Sequence, residues 1–274
     1  MPEALMQGRR GLVMGVANDH SIAWGIARML HAHSAEIAFT YQGEAQAKRL
    51  KPLADSIGSR ILLQADVEND GELAAAFDTL TREWGRLDFV VHAIAFSDRE
   101  ELKRRYVETT RENFGRSLAI SCFSFTDIAR RSLPLMKGHG GALLTLSYLG
   151  AHRVTPNYNV MGVAKAALES SVRYLAADLG QENIRVNAIS AGPMRTLAGS
   201  VVSESRTVFK WNKAHSPLKR TVSLDHVGNA ALYLLSDMSL GVTGEIHYVD
   251  AGYNIIGTPP SSQLKGWLGP EDNE

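Results

Sequence analysis

Apolar and polar positions alternate along the chain in two patterns. Short apolar runs predict seven strands, at residues 11–16, 36–41, 60–65, 87–95, 142–147, 184–189 and 245–249. Between them, apolar residues recur at helical spacing, which predicts at least six helices, beginning near residues 21, 43, 70, 109, 158 and 224. Strands that alternate with helices are typical of a parallel sheet covered on both faces. The pattern therefore predicts an α/β chain, one domain over residues 1–274, with a doubly wound (Rossmann) fold and a seven-stranded parallel sheet.

Two long connections interrupt this alternation. Residues 96–108 are polar and charged, and residues 191–221 form a long stretch punctuated by glycines and prolines. Long connections in a compact domain are usually functional lids. We expect residues 194–218 to form a mobile substrate lid, with a rigid surface hairpin as the alternative. The tail, residues 258–274, is expected to be loosely held.

The composition is that of a packed globular chain, and it argues against nucleic-acid and membrane partners. Hydrophobic residues make up 45% of the 274 and charged residues 21%, which is ordinary for such a chain. The 29 basic residues balance the 29 acidic ones, so a nucleic-acid partner is not expected. No apolar run approaches the roughly 18 residues that cross a bilayer, so no membrane association is expected.

The cysteine and histidine content gives no sign of a disulfide framework or a metal site. The single cysteine, Cys122, lies on an apolar predicted helix and is expected to be packed core. Because one cysteine cannot form an intrachain disulfide, a reducing cytoplasm is the expected location. His31 and His33 stand two apart on a predicted helix, which is not a ligand spacing, so no metal is expected.

The first strand runs into a glycine-bearing turn that opens a helix. Gly15 would let a pyrophosphate approach the helix N-terminus, and Ser21 would add a hydroxyl donor. The spacing is not the Gly-x-Gly-x-x-Gly fingerprint, so an ordinary strand-to-helix turn is an equal alternative for this stretch taken alone.

The end of the second strand bears on the choice of cofactor. Gln42 stands where an acidic residue would usually bind the adenosine ribose, and its amide can donate to and accept from hydroxyls. No arginine adjoins it, and Glu44 would repel a 2′-phosphate. NADH is therefore favoured over NADPH, although Lys48 and Arg49 lie about one helical turn further on and could reach a phosphate.

The third and fourth strands end in residues suited to an adenine ring. Asp66 and Val67 follow the third strand at the carboxyl edge of the sheet, where a dinucleotide would pass. A helix N-cap is an equal interpretation of the Asp66 carboxylate, and both roles can coexist. Ile94 would pack beside the adenosine, or it is simply a buried strand residue.

Tyr158 and Lys165 are the candidate reacting pair. Seven helical steps return to within roughly 20° of the same face, so the two side chains are predicted to share one face of a helix. A tyrosine hydroxyl can donate to a developing oxyanion, and a nearby ammonium can lower the pKa of the tyrosine and bind ribose hydroxyls. For these two residues taken alone, a half-buried tyrosine and a surface lysine on one helix are a more common arrangement than a reacting pair.

The combination of motifs favours the reacting pair over the ordinary arrangement. The chain combines the Gly15 turn, Tyr148 ten residues before Tyr158, Lys165 after six intervening residues, and the segments 147–150, 157–162 and 195–198. In this it resembles the enoyl-acyl-carrier-protein reductases of bacterial type II fatty-acid synthesis, a divergent branch of the short-chain dehydrogenase/reductase family, from about residue 8 to residue 257. Ordinary members of the larger family carry Tyr-x3-Lys, whereas this chain carries Tyr-x6-Lys and a second tyrosine.

The resemblance implies roles for individual residues. Tyr158 would hydrogen-bond the thioester carbonyl, Lys165 would bind the nicotinamide ribose, and Tyr148 would be a second active-site tyrosine. Ser97 would adjoin the substrate. The residues implied in binding NADH are Gly15, Ser21, Ile22, Gln42, Asp66, Val67, Ile94, Lys165, Met194, Arg195, Thr196, Leu197 and Ala198. The resemblance also implies an acyl carrier protein as partner and a homotetramer.

The sequence thus favours an enzyme that reduces the carbon-carbon double bond of a trans-2-enoyl thioester with NADH. A ketone or alcohol oxidoreductase of the ordinary short-chain type is the alternative, and the absence of Tyr-x3-Lys disfavours it. A nucleotide-sensing protein without chemistry would be expected to have lost Tyr158 or Lys165, and both are present.

Overall fold

The seven predicted strands pair side by side in one sheet. In this computed structural model, which describes residues 4–194, 196 and 205–258, every strand pairing is parallel and the order is β3-β2-β1-β4-β5-β6-β7. The strands are β1 Arg10–Met14, β2 Glu36–Tyr41, β3 Leu62–Gln64, β4 Phe89–His92, β5 Gly141–Ser147, β6 Ile184–Ala191 and β7 Ile246–Val249. The predicted doubly wound parallel fold is confirmed.

Helices connect the strands on both sides of the sheet. They are α1 Ile22–Ala32, α2 Glu44–Ser56, α3 Asp70–Glu83, α4 Arg99–Leu102, α5 Arg111–Leu118, α6 Ser124–Met136, α7 Val160–Leu179, α8 Ser205–His215 and α9 Leu224–Leu235. The six predicted helices begin within two residues of their expected starts. A π-helical turn, Ala119–Phe123, joins α5 to α6.

The two predicted long connections hold short helices. α4 lies in the first and α8 in the second, so neither is a structureless loop. Much of the predicted lid, residues 195 and 197–204, and the tail from residue 259 onward lie outside the described residues.

The sheet is buried on both faces because alternate strand residues point to opposite sides. Leu12 and Val90 pack into a core with α3, α6 and α7, whereas Val13 and Val91 pack into a second core with α1, α2 and α9. Cys122 is buried against the first core, as expected.

The strand order reverses between β1 and β4, whose carboxyl ends therefore border a crevice. In doubly wound sheets such a switch point is where ligands bind. The helices that the structure describes include none that is long and apolar enough to span a membrane.

Candidate active site

The turn after β1 closes tightly against the end of β4. Gly15 has a φ of +91°, and a Cβ on it would lie 2.1 Å from the carbonyl oxygen of Ala93, so only glycine fits. The Ser21 hydroxyl accepts hydrogen bonds from the backbone N–H of Ala17 at 3.0 Å and of Asn18 at 2.9 Å. It donates to the Asn18 carbonyl at 2.7 Å, so Ser21 first of all shapes the turn that presents the α1 N-terminus.

Gln42 and Asp66 meet at the ends of β2 and β3. The Gln42 amide Nε2 donates to Asp66 Oδ2 at 2.8 Å, and the Glu68 N–H donates to Asp66 Oδ1 at 3.0 Å. The N-cap interpretation of Asp66 is wrong, because Asn69 caps α3 by accepting from two backbone N–H groups of its first turn. Asp66 instead fixes the Gln42 amide, with both groups at the crevice.

Three apolar positions predicted beside the cofactor follow the carboxyl ends of strands. Ile22 is the first residue of α1, Val67 follows Asp66, and Ile94 lies two residues beyond β4. All three are half-buried and pack against the core clusters. Part of each side chain therefore stays accessible at this edge of the sheet.

Tyr158 is not on a helix, contrary to the predicted shared face. Residues 156–159 form a turn, and α7 begins at Val160. Asn157 and Asn159 take left-handed φ values of +58° and +40°, which break the helical path that the sequence spacing assumes. The turn reverses the chain just before α7, so Tyr158 reaches the site from the turn and Lys165 from the helix.

The two tyrosines lie in contact. Their ring centroids are 5.0 Å apart in an edge-to-face arrangement at 69°, a favourable geometry for aromatic pairs. The Tyr158 ring also lies on the backbone of Gly150, where an added Cβ would come within 2.4 Å of its Cδ1. A glycine in the short helical turn after β5 therefore makes room for the Tyr158 ring.

Lys165 is buried rather than on the surface, with 6% of its area exposed. Its Nζ donates to the Leu146 carbonyl at the end of β5 at 2.7 Å. An ammonium has three N–H donors, so two remain beyond this contact with the described residues. Burial lowers the pKa of Lys165 to about 8, against the charges of Cys122 and Glu169, which raise it.

The expected lowering of the tyrosine pKa is not found. Burial raises the pKa of the Tyr158 hydroxyl, and electrostatic interactions with Tyr148 and Glu169 raise it further. Burial likewise raises the pKa of Tyr148. Both hydroxyls are therefore neutral hydrogen-bond donors at physiological pH, which suits stabilising an oxyanion without full proton loss.

Ser97 lies half-buried in a connection that α5 and the π-helical turn hold in place. Asn113 Oδ1 accepts from the Asp98 N–H at 2.9 Å and from the Ser97 hydroxyl at 3.3 Å. The buried Ser121 hydroxyl bonds both backbone groups of Phe96, at 2.9 and 3.0 Å. Ser121 could not be found from the sequence, because hydrophobic spacing does not reveal a π-helical turn.

Part of the segment predicted as a lid shares a cavity with the turn after β1. A cavity of about 240 Å³ is lined by His20 of that turn, Met194, Thr196, and Phe209 of α8, together with residues 221–224. Trp211 of α8 donates to the Tyr253 hydroxyl at 2.9 Å. Arg195, Leu197 and Ala198 lie outside the described residues, so their predicted cofactor contacts stay predictions.

These residues fit a dinucleotide. The Gly15 turn and the α1 N-terminus suit a pyrophosphate, the Gln42–Asp66 pair offers both donors and acceptors to an adenosine, and the buried Lys165 ammonium suits ribose hydroxyls. They lie along the carboxyl edge of one sheet, from β3 to β5. The fold and the site define a nicotinamide-dinucleotide oxidoreductase of the doubly wound class.

Comparison with known proteins identifies the family. The family model described as "Enoyl-(Acyl carrier protein) reductase" matches residues 15–254. The protein named enoyl-[acyl-carrier-protein] reductase [NADH] 2 of Rhizobium meliloti (strain 1021) is 62% identical over 261 residues, which are 95% of this chain and 97% of the relative. The chain belongs to the enoyl-acyl-carrier-protein reductase family, which confirms the resemblance.

Solved structures of similar proteins agree. The FabI crystal structure from Candidatus Liberibacter asiaticus superposes with a TM-score of 0.92 at 57% identity, covering 95% of this chain and 100% of that one. The reductase from Anaplasma phagocytophilum, solved in complex with NAD, gives a TM-score of 0.91 at 55% identity and covers 94% of this chain and 98% of that one.

Proposed function

We propose that this chain reduces the carbon-carbon double bond of trans-2-enoyl-acyl-carrier-protein thioesters with NADH, in fatty-acid elongation. The observation that carries the proposal is the gathering of Tyr148, Tyr158 and Lys165 at the end of β5, beside the crevice that fits a dinucleotide. Family membership supports it, as do relatives named for NADH and solved with NAD.

When bound, NADH supplies the hydride that adds to the β-carbon of the enoyl thioester. The Tyr158 hydroxyl, kept neutral by its raised pKa, donates a hydrogen bond to the thioester oxygen as negative charge develops there. Tyr148 packs edge-to-face on the Tyr158 ring and limits its movement. Both tyrosines are half-buried, which limits the access of water to this oxygen and strengthens the hydrogen bond.

Lys165 has a holding role in this proposal. Its buried ammonium, anchored on the Leu146 carbonyl, directs its other donors to the ribose of the nicotinamide half. Gly15, Ser21 and Ile22 would hold the pyrophosphate end, and Gln42, Asp66, Val67 and Ile94 the adenosine end. Met194 to Ala198 would cover the nicotinamide and the pyrophosphate, and Ser97 would adjoin the acyl substrate.

The test compares crotonyl and acetoacetyl thioesters, each with NADH and with NADPH. We expect oxidation of NADH with crotonyl thioester and little with acetoacetyl thioester; the reverse would establish the ketoreductase alternative. Tyr158→Phe keeps the ring and removes the donor, so kcat should fall by roughly 100-fold, about 3 kcal/mol. Lys165→Ala should weaken NADH binding as well as turnover.

Basic residues within and just after the predicted lid support an acyl carrier protein as the partner. Lys210 and Lys213 on α8 are exposed, as are Lys219 and Arg220 after it. This local positive charge suits an acidic carrier protein although the chain has zero net charge. The KM for enoyl-acyl-carrier-protein should rise with salt, whereas the KM for a small crotonyl thioester should change little.

A homotetramer is part of the same proposal. α6 and α7 border a groove of about 600 Å³ lined by Cys122, Thr126 and Tyr174 among others, and Tyr174 is 78% exposed. Phe123, 62% exposed, lies next to the groove. Exposed aromatics are typical of interfaces. Light scattering should show four copies, and Tyr174→Asp should dissociate them. A cytoplasmic location remains a prediction.

A further inference from the structure

A buried carboxylate lies behind the reacting residues and has no part in the mechanism above. Glu169 is on α7, one turn after Lys165, and none of its area is exposed. A fully buried carboxylate is costly unless other groups satisfy its charge, so its retention at this position calls for a reason.

Two neighbours contact the Glu169 carboxylate. The Ser147 hydroxyl, at the end of β5, donates to Oε1. Nε2 of His152, a half-exposed side chain, lies against Oε2 in an ion-pair contact. That second contact is not a hydrogen bond, and Oε2 accepts none from the residues that the structure describes. The carboxylate therefore has a hydrogen bond at Oε1 and a close ion-pair contact at Oε2.

The contacts of Lys165 and Glu169 are made on consecutive residues of β5. Lys165 Nζ donates to the Leu146 carbonyl, and the next residue, Ser147, donates to Glu169. Tyr148 follows directly. Two side chains one turn apart on α7 thus bond to the strand end that Tyr148 follows.

Glu169 affects the pKa of Lys165. Burial lowers the pKa of Lys165 to about 8, and electrostatic interactions with Cys122 and then Glu169 oppose that effect. His92 of β4, which also interacts with Lys165, is neutral, because burial and the Lys165 charge lower its pKa to about 3. The Glu169 carboxylate, fully buried one helical turn from Lys165, thus offsets part of the desolvation of the ammonium.

Further titratable groups face Glu169. Its charge also raises the pKa of Tyr158, in the turn before α7, and contributes to the raised pKa of Tyr248 on β7, as does Asp250. Both phenols stay neutral through the range in which Lys165 titrates. His152 is the one histidine in ion-pair contact with the carboxylate among the described residues.

We propose that Glu169 is a positioning residue for the reduction: its buried carboxylate, one helical turn from Lys165, stabilises the ammonium that holds the cofactor ribose, and its bond from Ser147 fixes the strand end that carries Tyr148. The inference rests on the proposed function and assigns Glu169 two separable effects. One is electrostatic and acts on cofactor binding, and the other is geometric and acts on turnover.

The alternative is a purely structural Glu169. Glutamine has nearly the same shape, and its amide oxygen can accept from Ser147, so Glu169→Gln should keep a structural role intact while removing the charge. Ser147→Ala has the opposite effect, since it keeps the charge and removes the bond. The pair of variants therefore separates the two effects.

The experiment measures the NADH dissociation constant by fluorescence between pH 6 and pH 10, with no acyl substrate present. In the wild-type enzyme, affinity should fall as pH rises through about 8, where the ammonium loses its proton. Glu169→Gln should move this midpoint to lower pH by about one unit, because a charge that favours the ammonium is gone. Ser147→Ala should keep the wild-type midpoint and lower kcat.

Controls distinguish the outcomes. Glu182→Gln removes an exposed negative charge just beyond α7 and should leave the midpoint unchanged. If Glu169→Gln does not fold, Ser147→Ala/Glu169→Met removes donor and acceptor together and should show the same shift. A wild-type midpoint in the folded variant overturns the inference. Wild-type enzyme that fails to reduce crotonyl thioester, or Lys165→Ala with unchanged NADH affinity, refutes the proposed function instead.

Discussion

Gly150→Ala tests whether the position of the Tyr158 ring sets the rate. Gly150 lies in the short turn after β5, and the added Cβ would come within 2.4 Å of Tyr158 Cδ1 and 2.7 Å of Cε1. The carbonyl of Gly150 is itself close to α7, since a Cβ on Gly162 would lie 2.8 Å from that oxygen. The Gly150 backbone therefore has little room to move, and the Tyr158 ring must give way.

The size of the effect follows from the overlap. Ordinary van der Waals contact begins near 3.4 Å, so the ring must retreat by about 1 Å. A misplacement of about 1 Å in a reacting group costs on the order of 100-fold in rate, or about 2.7 kcal/mol. Overpacking should also reduce the free energy of unfolding by about 1–3 kcal/mol. NADH binding should change little, because Lys165 is held by Leu146.

The assay is steady-state reduction of crotonyl thioester by Gly150→Ala, by Tyr158→Phe and by the double variant. Because the displaced hydroxyl is already absent in Tyr158→Phe, Gly150→Ala should cost far less in that background. Gly115→Ala, on α5 with nothing within 4 Å of the new Cβ, is the control and should keep wild-type activity. Wild-type kcat in folded Gly150→Ala, or an equal loss in both backgrounds, would refute the reasoning.

Three further predictions concern the cofactor and the lid. Gln42→Arg with Glu44→Ser adds a phosphate partner and removes the Glu44 carboxylate, which lies 3.0 Å from Lys48 in the wild-type chain. The NADPH/NADH ratio of kcat/KM should rise by about tenfold, and an unchanged ratio would show that other residues select the cofactor. Arg116 pairs with Glu68 beside Asp66 and lies 4.5 Å over the Phe96 ring. Arg116→Met should therefore raise the KM for NADH and for substrate by up to about fivefold, whereas Arg130→Met should change neither. Hydrogen exchange across residues 194–218 should slow when NADH and an acyl ligand bind, and equal protection with and without ligand would support a rigid hairpin.

Hydrophobic spacing alone determined the sheet and most of its helices. Buried parallel strands are continuous apolar runs, and the helices between them bury one stripe, so both periods are visible without any tertiary information. Gly15, Gln42 and Asp66 could be assigned to the crevice for a related reason: the carboxyl ends of parallel strands share one edge. The spacing of Tyr148, Tyr158 and Lys165 carried the resemblance that the family match confirms.

Tertiary structure decided the conformations and charges on which the chemistry depends. Left-handed backbone at Asn157 and Asn159 places Tyr158 in a turn, which a helical count from Lys165 cannot reveal. Asn69 rather than Asp66 is the N-cap of α3, because three more residues follow Asp66 before the helix begins. The burial of Lys165 and Glu169, and so the pKa of the lysine, follows from packing α7 against the end of β5. Periodicity fixes which residues face the core, but desolvation and contact between distant segments exist only once the chain has folded.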